Sequence, residues 1–140
     1  MRALAAEADK AGGGVIYLCN PNNPTSASTA KSDVDWLVAN LPPKTILPMD
    51  EAYIHFGEAP DLVSAMPYVR QGKEVIVART FSKIYGMAGM RAGFAAAKPE
   101  YIAKLQPLRM NVISIVSARG VAAAWSNQQS IIGQRSFPER

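Results

Sequence analysis

The stretch Val15-Ile-Tyr-Leu-Cys19 followed by Asn20-Pro-Asn-Asn-Pro24 decides the fold class. A short apolar, β-rich run follows Gly12-Gly13-Gly14 and breaks off in a cluster of turn formers. That pattern predicts a strand buried on both faces, with a loop beginning at Asn20. The same arrangement recurs twice. Thr45 to Met49 is an apolar run that leads into Asp50-Glu-Ala-Tyr53, and Glu74-Val-Ile-Val-Ala-Arg79 leads into Thr80-Phe-Ser-Lys83. Pro48 lacks an amide donor, so it is expected at the end of a ladder or at a bulge. Ala92 to Ala97 reads as a weaker fourth strand.

Helical patterns fill the intervals. Leu4, Ala5 and Ala8 share a face in residues 1–10, before the glycine cluster. Ser28 or Thr29 is the expected cap of a helix with apolar positions Ala30, Val34, Leu37, Val38 and Leu41, ended by Pro42-Pro43. Asp61 to Met66 reads as a short helix before Pro67. Pro99 suits the first turn of another through Leu105, and Ile113, Val116, Gly120, Val121 and Ala124 form a stripe on a helix from about Asn111 to Trp125. Strands alternating with helices predict an α/β fold, with a mainly parallel sheet covered by helices on both faces. The expected domain is residues 1–125, and the polar segment 126–140 has no period that assigns it structure.

Composition narrows the function. The chain has 140 residues, 49% of them hydrophobic and 19% charged, and a mean hydropathy of zero. This suits a folded domain rather than a disordered or fibrous chain. Fifteen basic against eleven acidic residues leave a net charge of +4, but the basic residues are scattered, so neither nucleic acid nor a membrane surface is an expected partner. No apolar run approaches the ~18 residues of a membrane span, and the opening residues carry no secretory run, so the expected location is cytoplasmic. With one cysteine, Cys19, and one histidine, His55, neither a disulfide framework nor a structural zinc site is expected. Cys19 reads as a core residue and His55 as a structural or surface residue.

Three clusters follow three strands, and in a parallel sheet ligands bind beyond the carboxyl ends of the strands. Each cluster has an ordinary reading: a rigid turn at Asn20–Thr25, solvated charges at Asp50 and Glu51, a surface lysine at Lys83. Together they describe more. Thr80 and Ser82 offer hydroxyls, Gly86 and Gly89 permit close backbone approach, and Arg91 offers a planar fork suited to a phosphate. A lysine in such an anion site can act as an amine nucleophile toward a carbonyl. An aspartate can pair with a protonated ring nitrogen, and an asparagine amide and a tyrosine hydroxyl can donate to a ring phenolate. These groups suit pyridoxal 5'-phosphate.

The ordered motifs NPNNPT, DEAY, TFSK and GMAGMRAGF resemble the class I/II aminotransferases of fold type I, in particular the histidinol-phosphate aminotransferase-like branch. Asp50 lies 27 positions after Asn23, Lys83 lies 33 after Asp50, and Arg91 lies eight after Lys83. The resemblance implies a catalytic role for Lys83, which forms an imine with the cofactor and shuttles a proton. It implies that Asp50 pairs with the ring nitrogen, that Asn23 and Tyr53 bind the phenolic oxygen, and that Thr80, Ser82 and Arg91 hold the phosphate. The implied reaction exchanges an amino group between an amino-acid-like donor and a 2-oxo acid. The cofactor motifs leave a decarboxylase or lyase open on the same machinery. The family usually has glycine where this chain has Ser26. The resemblance covers part of the family's large domain; it implies a homodimer in the full-length context, and further parts of the active site in segments outside these residues. An inactive remnant that binds only cofactor or a partner subunit is therefore the other open reading.

Overall fold

The computed structural model describes residues 1–108 and 113–127. In chain order the elements are α1 (Arg2–Lys10), β1 (Gly14–Val15), β2 (Leu18–Cys19), α2 (Lys31–Ala39), β3 (Thr45–Asp50), α3 (Met66–Arg70), β4 (Val75–Thr80), β5 (Gly93–Ala96), α4 (Pro99–Leu105) and α5 (Ile115–Ser126). Both β1 and β2 pair with β3, which pairs with β4, and all of these pairings are parallel. β5 closes the order antiparallel to β4. The sheet is thus mixed and mostly parallel, as the alternation of elements predicts.

The expected strand over 15–19 is split, and the reason lies across the ladder. β1 and β2 hold one register against β3, with Val15 opposite Ile46 and Leu18 opposite Met49. The Ile16 amide donates to the Ile46 carbonyl at 3.0 Å. In a parallel ladder the return bond to Ile16 would come from position 48, which is proline and has no N–H. Pro48 therefore sits inside β3 rather than at an end or bulge. Its missing donor faces β1 and β2, while Leu47 bonds toward β4 through the Glu74 carbonyl.

Register also separates the two faces. Ile16, Leu47, Met49, Val75 and Val77 point to one side and are buried, joined by Ala5 of α1, Val34, Leu37 and Val38 of α2, and Ala65 before α3. The other side is less covered. Val15 and Tyr17 are 64% and 60% exposed, so this strand is buried on one face, not two. Just before β4, the Glu74 carboxylate accepts from Lys98, which precedes α4, and from the Tyr101 hydroxyl of α4.

Several helix boundaries differ from expectation. α2 starts at Lys31, and neither Ser28 nor Thr29 caps it; Thr29 is instead occupied with Asn20. Pro67 lies in the first turn of α3 rather than ending a helix over 61–66, because proline's fixed φ suits a helix start. α5 begins at Ile115, with Ser114 accepting from the Ser117 amide, and extends through Ser126. Ser117 is its buried residue, while Ile113 and Val116 of the expected stripe are exposed. Residues 109–112, and 128–140 of the segment assigned no structure, lie outside the described residues. None of the described helices is long and apolar enough to cross a membrane.

Candidate functional site

The loop after β2 is wound on itself. Both Asn20-Pro21 and Asn23-Pro24 are cis, the Asn22 amide donates to the Ala27 carbonyl, and the Ser26 amide donates to the Asn22 carbonyl, each at 2.8 Å. Ser26 stands at φ 58°, a left-handed conformation that glycine adopts without cost. This explains the glycine usual at that position. Asn20 anchors the loop from beneath: it is buried, its Oδ1 accepts from the Thr29 amide at 2.8 Å and its Nδ2 donates to the Thr29 carbonyl.

Two loops meet at Asn23. Its Nδ2 donates to the Tyr53 hydroxyl at 2.9 Å, and the Lys83 Nζ stands 5.1 Å from the centre of the Tyr53 ring. Asn23, Tyr53 and Lys83, one from each predicted cluster, therefore form one group. A cleft of about 410 Å³, lined in part by Asn23, Pro24, Tyr53, Phe56 and Leu62, opens beside it. His55 lies in the short 3-10 turn Ile54–Phe56, and its ring stands nearly perpendicular to that of Tyr85, 6.0 Å between centres. Cys19 is only partly buried, and its Sγ donates to the Pro21 carbonyl at 3.3 Å.

Asp50 ends β3. Its Oδ1 accepts from the Ala52 amide at 3.0 Å and its Oδ2 accepts from the Tyr17 hydroxyl at 2.6 Å. The bond to the Asp50 carboxylate, helped by burial and the negative charge, pushes the Tyr17 hydroxyl up to about 12.

The loop after β4 carries the remaining predicted residues. Thr80 Oγ1 accepts from the Ser82 amide at 3.0 Å and donates to the Ala92 carbonyl at 3.4 Å. The Phe81 amide also donates to that carbonyl, at 3.1 Å. The antiparallel pairing of Thr80 with Gly93 returns the chain to the edge it left, two residues after Arg91. Arg91 is exposed, at φ 50°, and its Nη1 donates to the Ala88 carbonyl at 2.8 Å.

Beneath the loops lies a network not expected from the sequence. Glu51, read there as a solvated charge, is 1% exposed. Its carboxylate accepts from Arg79 Nε at 2.9 Å, from Ser64 Oγ and from the Ala65 amide. The pair fastens the residue after Asp50 to the residue before Thr80. Neither Tyr17 nor this network stood out in the sequence, although alternation on a strand in register with β3 puts Tyr17 on the face that carries Asp50.

Comparisons with known proteins bear on the family and the fold. The model of the family "Aminotransferase class I and II" matches residues 1–139. A histidinol-phosphate aminotransferase of Symbiobacterium thermophilum is 41% identical over 120 residues, covering 84% of this chain and 33% of that protein. An aromatic amino acid aminotransferase of Mycolicibacterium smegmatis is 42% identical over 91 residues, covering 65% of this chain and 25% of that protein. Among solved structures, the histidinol-phosphate aminotransferase of Sinorhizobium meliloti in complex with pyridoxal-5'-phosphate superposes with a TM-score of 0.84 at 28% identity, covering 96% of this chain and 36% of that one. The chain spans about a third of the length of such relatives. The motif order, the mixed sheet and the family match together show that the chain belongs to the class I and II aminotransferases.

Proposed function

We propose that residues 1–125 are part of the cofactor domain of a pyridoxal-phosphate-dependent aminotransferase, one that moves an amino group between an amino-acid-like donor and a 2-oxo acid. The observation that carries this reading is the meeting of Asn23, Tyr53 and Lys83 from three separate loops. The donor set suits the cofactor: an amine at Lys83, a carboxylate at Asp50, an amide and a hydroxyl at Asn23 and Tyr53, and hydroxyls with a guanidinium at Thr80, Ser82 and Arg91. When bound, pyridoxal 5'-phosphate supplies a carbonyl for amines and a protonated ring that withdraws electrons.

The chain's residues then divide the work. Lys83 Nζ would hold the cofactor covalently and, as a free amine, would be the base that carries a proton at the reacting carbon. Asp50 accepts from the ring N–H and keeps it protonated. The Asn23 amide and Tyr53 hydroxyl donate to the ring oxygen, favouring its ionised form. Thr80, Ser82 and Arg91 hold the phosphate by charge-assisted hydrogen bonds. Histidinol-phosphate aminotransferase relatives favour an amino donor of that class, and in its full-length context the protein is read as a homodimer.

Borohydride reduction of the chain with pyridoxal 5'-phosphate, followed by mass mapping, tests the site. Selective labelling at Lys83, lost with competing phosphate or in Arg91→Ala, is the expected result. Even labelling across the lysines would overturn the site. Product analysis of the full-length protein with an amino donor and a 2-oxo acid tests the reaction: a new amino acid supports transfer, whereas an amine with carbon dioxide points to a decarboxylase.

A further inference from the structure

We propose that Tyr17 is a positioning residue that orients the Asp50 carboxylate toward the cofactor's ring nitrogen, an inference that rests on the reading of Asp50 given above. Asp50 ends a strand, where a carboxylate is free to rotate unless both of its oxygens are engaged. Here they are. Oδ1 accepts from the Ala52 amide at 3.0 Å and Oδ2 accepts from the Tyr17 hydroxyl at 2.6 Å. One donor is backbone and one is a side chain 33 residues earlier, so together they fix the carboxylate plane. Each carboxylate oxygen has two acceptor sites, so one engaged donor per oxygen leaves capacity for a ring N–H.

The fold explains why position 17 can do this. In the register of β1 and β2 against β3, Tyr17 lies opposite Pro48, two residues before Asp50 on the same face. A tyrosine at that position spans the distance to the carboxylate through its ring. The ladder is already interrupted there, because Pro48 has no N–H to return to Ile16. Tyr17 is largely exposed, so burial of its ring does not account for its placement, whereas the bond to Asp50 does. Its hydroxyl is also held in the donor form. With ionisation pushed up to about 12 by that bond, by burial and by the charge of Asp50, Tyr17 remains a neutral donor throughout the range in which a transaminase works.

A double-mutant cycle in the chain tests this, using Tyr17→Phe, Asp50→Asn and the pair. Two quantities are read: affinity for pyridoxal 5'-phosphate by titration, and the pH midpoint of the visible band of the lysine-bound cofactor. Circular dichroism checks folding; phenylalanine keeps the ring. Asp50→Asn is expected to weaken cofactor binding and move the midpoint. Tyr17→Phe is expected to weaken binding about tenfold, the scale of a hydrogen bond to a charged group, and to move the midpoint in the same direction. In the Asp50→Asn background the Tyr17→Phe effect should vanish. A Tyr17→Phe effect of equal size in both backgrounds, or no effect where Asp50→Asn has a large one, would overturn the proposal. If Asp50→Asn leaves both quantities unchanged, the reading of Asp50 itself fails. As a check without cofactor, phenolate absorbance of the apoprotein should lose one group titrating near 12 in Tyr17→Phe; loss of a group near 10 instead would also count against the proposal.

Discussion

The Asn23 side-chain amide donates to the Tyr53 hydroxyl at 2.9 Å, joining the loop after β2 to the loop after β3. Both groups are partly open to water, so the bond is worth about 0.5 to 1 kcal/mol to stability. Tyr53→Phe should lower the urea midpoint by no more than that, while weakening pyridoxal 5'-phosphate binding severalfold. Unchanged cofactor affinity would remove Tyr53 from the proposed site.

Ser26 occupies a left-handed backbone conformation at φ 58°, which costs an L residue roughly 1 to 2 kcal/mol. Ser26→Gly removes that cost, and part of the gain is offset by the entropy glycine adds to the unfolded chain. The substitution should raise stability by about 0.5 to 1 kcal/mol in urea unfolding. A drop would mean that the serine side chain contributes more than the conformation costs.

Glu51 and Arg79 form a buried ion pair, with Nη2 2.8 Å from Oε2 and side chains 1% and 17% exposed. Removing one partner leaves the other buried without its counterion, a loss of about 3 kcal/mol or more. Glu51→Gln and Arg79→Met should each unfold at much lower denaturant. The double variant Glu51→Gln with Arg79→Met should lose less than the two single losses added together, since no uncompensated charge remains. Additive losses would show that the two residues act independently.

Gly93 leaves no space for a side chain: a Cβ there would stand 2.6 Å from the Arg79 carbonyl oxygen, which is backbone and has little room to yield. Gly93→Ala should destabilise the chain by about 1 to 3 kcal/mol. It should also weaken phosphate-dependent cofactor binding, because the proposed phosphate residues Thr80 and Arg91 lie at and just before this strand pair. Wild-type stability in thermal unfolding would contradict this close approach.

Three tyrosines resist ionisation. Tyr17 is pushed up to about 12 by its bond to Asp50, Tyr68 to about 12 by burial and its bond to Asp35, and Tyr101 to about 12 by its bond to Glu74. In the unfolded chain these hydroxyls ionise near the ordinary value of 10, while in the fold they stay protonated. Their contribution is therefore complete below pH 10 and is lost as pH rises from 10 through 12. Asp35 and Glu74 run the other way. Lys31 and Tyr68 lower Asp35, and Lys98 and Tyr101 lower Glu74. Their contribution is complete above the unfolded carboxylate range and is lost as pH falls through the folded values. Denaturant midpoints across pH should fall at both ends, and Tyr68→Phe should flatten part of the alkaline limb; an unchanged limb would remove Tyr68 from the account.

Much of the architecture was legible because it rests on local chemistry. The apolar runs ending in NPNNP, DEAY and TFSK place three loops beyond three strand ends, and a parallel sheet has to bring those ends to one edge. Other features escaped because the pattern carries two meanings. Pro67 looked like a helix stop and is a helix start, since proline suits both. Pro48 looked unfit for the middle of a strand, but its missing amide interrupts only the ladder toward β1 and β2, and β3 keeps its pairing with β4. Glu51 looked solvated because nothing beside it in sequence is basic; its partners Ser64, Ala65 and Arg79 arrive from 13 to 28 residues away.

The order of elements and the three clusters follow from side-chain periodicity and turn chemistry, which are properties of neighbouring residues, and the motifs in those clusters carry the resemblance that picks out Asn23, Asp50, Tyr53, Thr80, Ser82, Lys83 and Arg91 as candidates. The chain folded in three dimensions decides which of these touch. The antiparallel return of β5 sets Gly93 opposite Thr80, the register of β1 and β2 on β3 hands Tyr17 to Asp50, and burial of Glu51 against Arg79 fastens two loops together. Those relations depend on register and on the desolvation of partners distant in sequence, and neither is written in any local stretch.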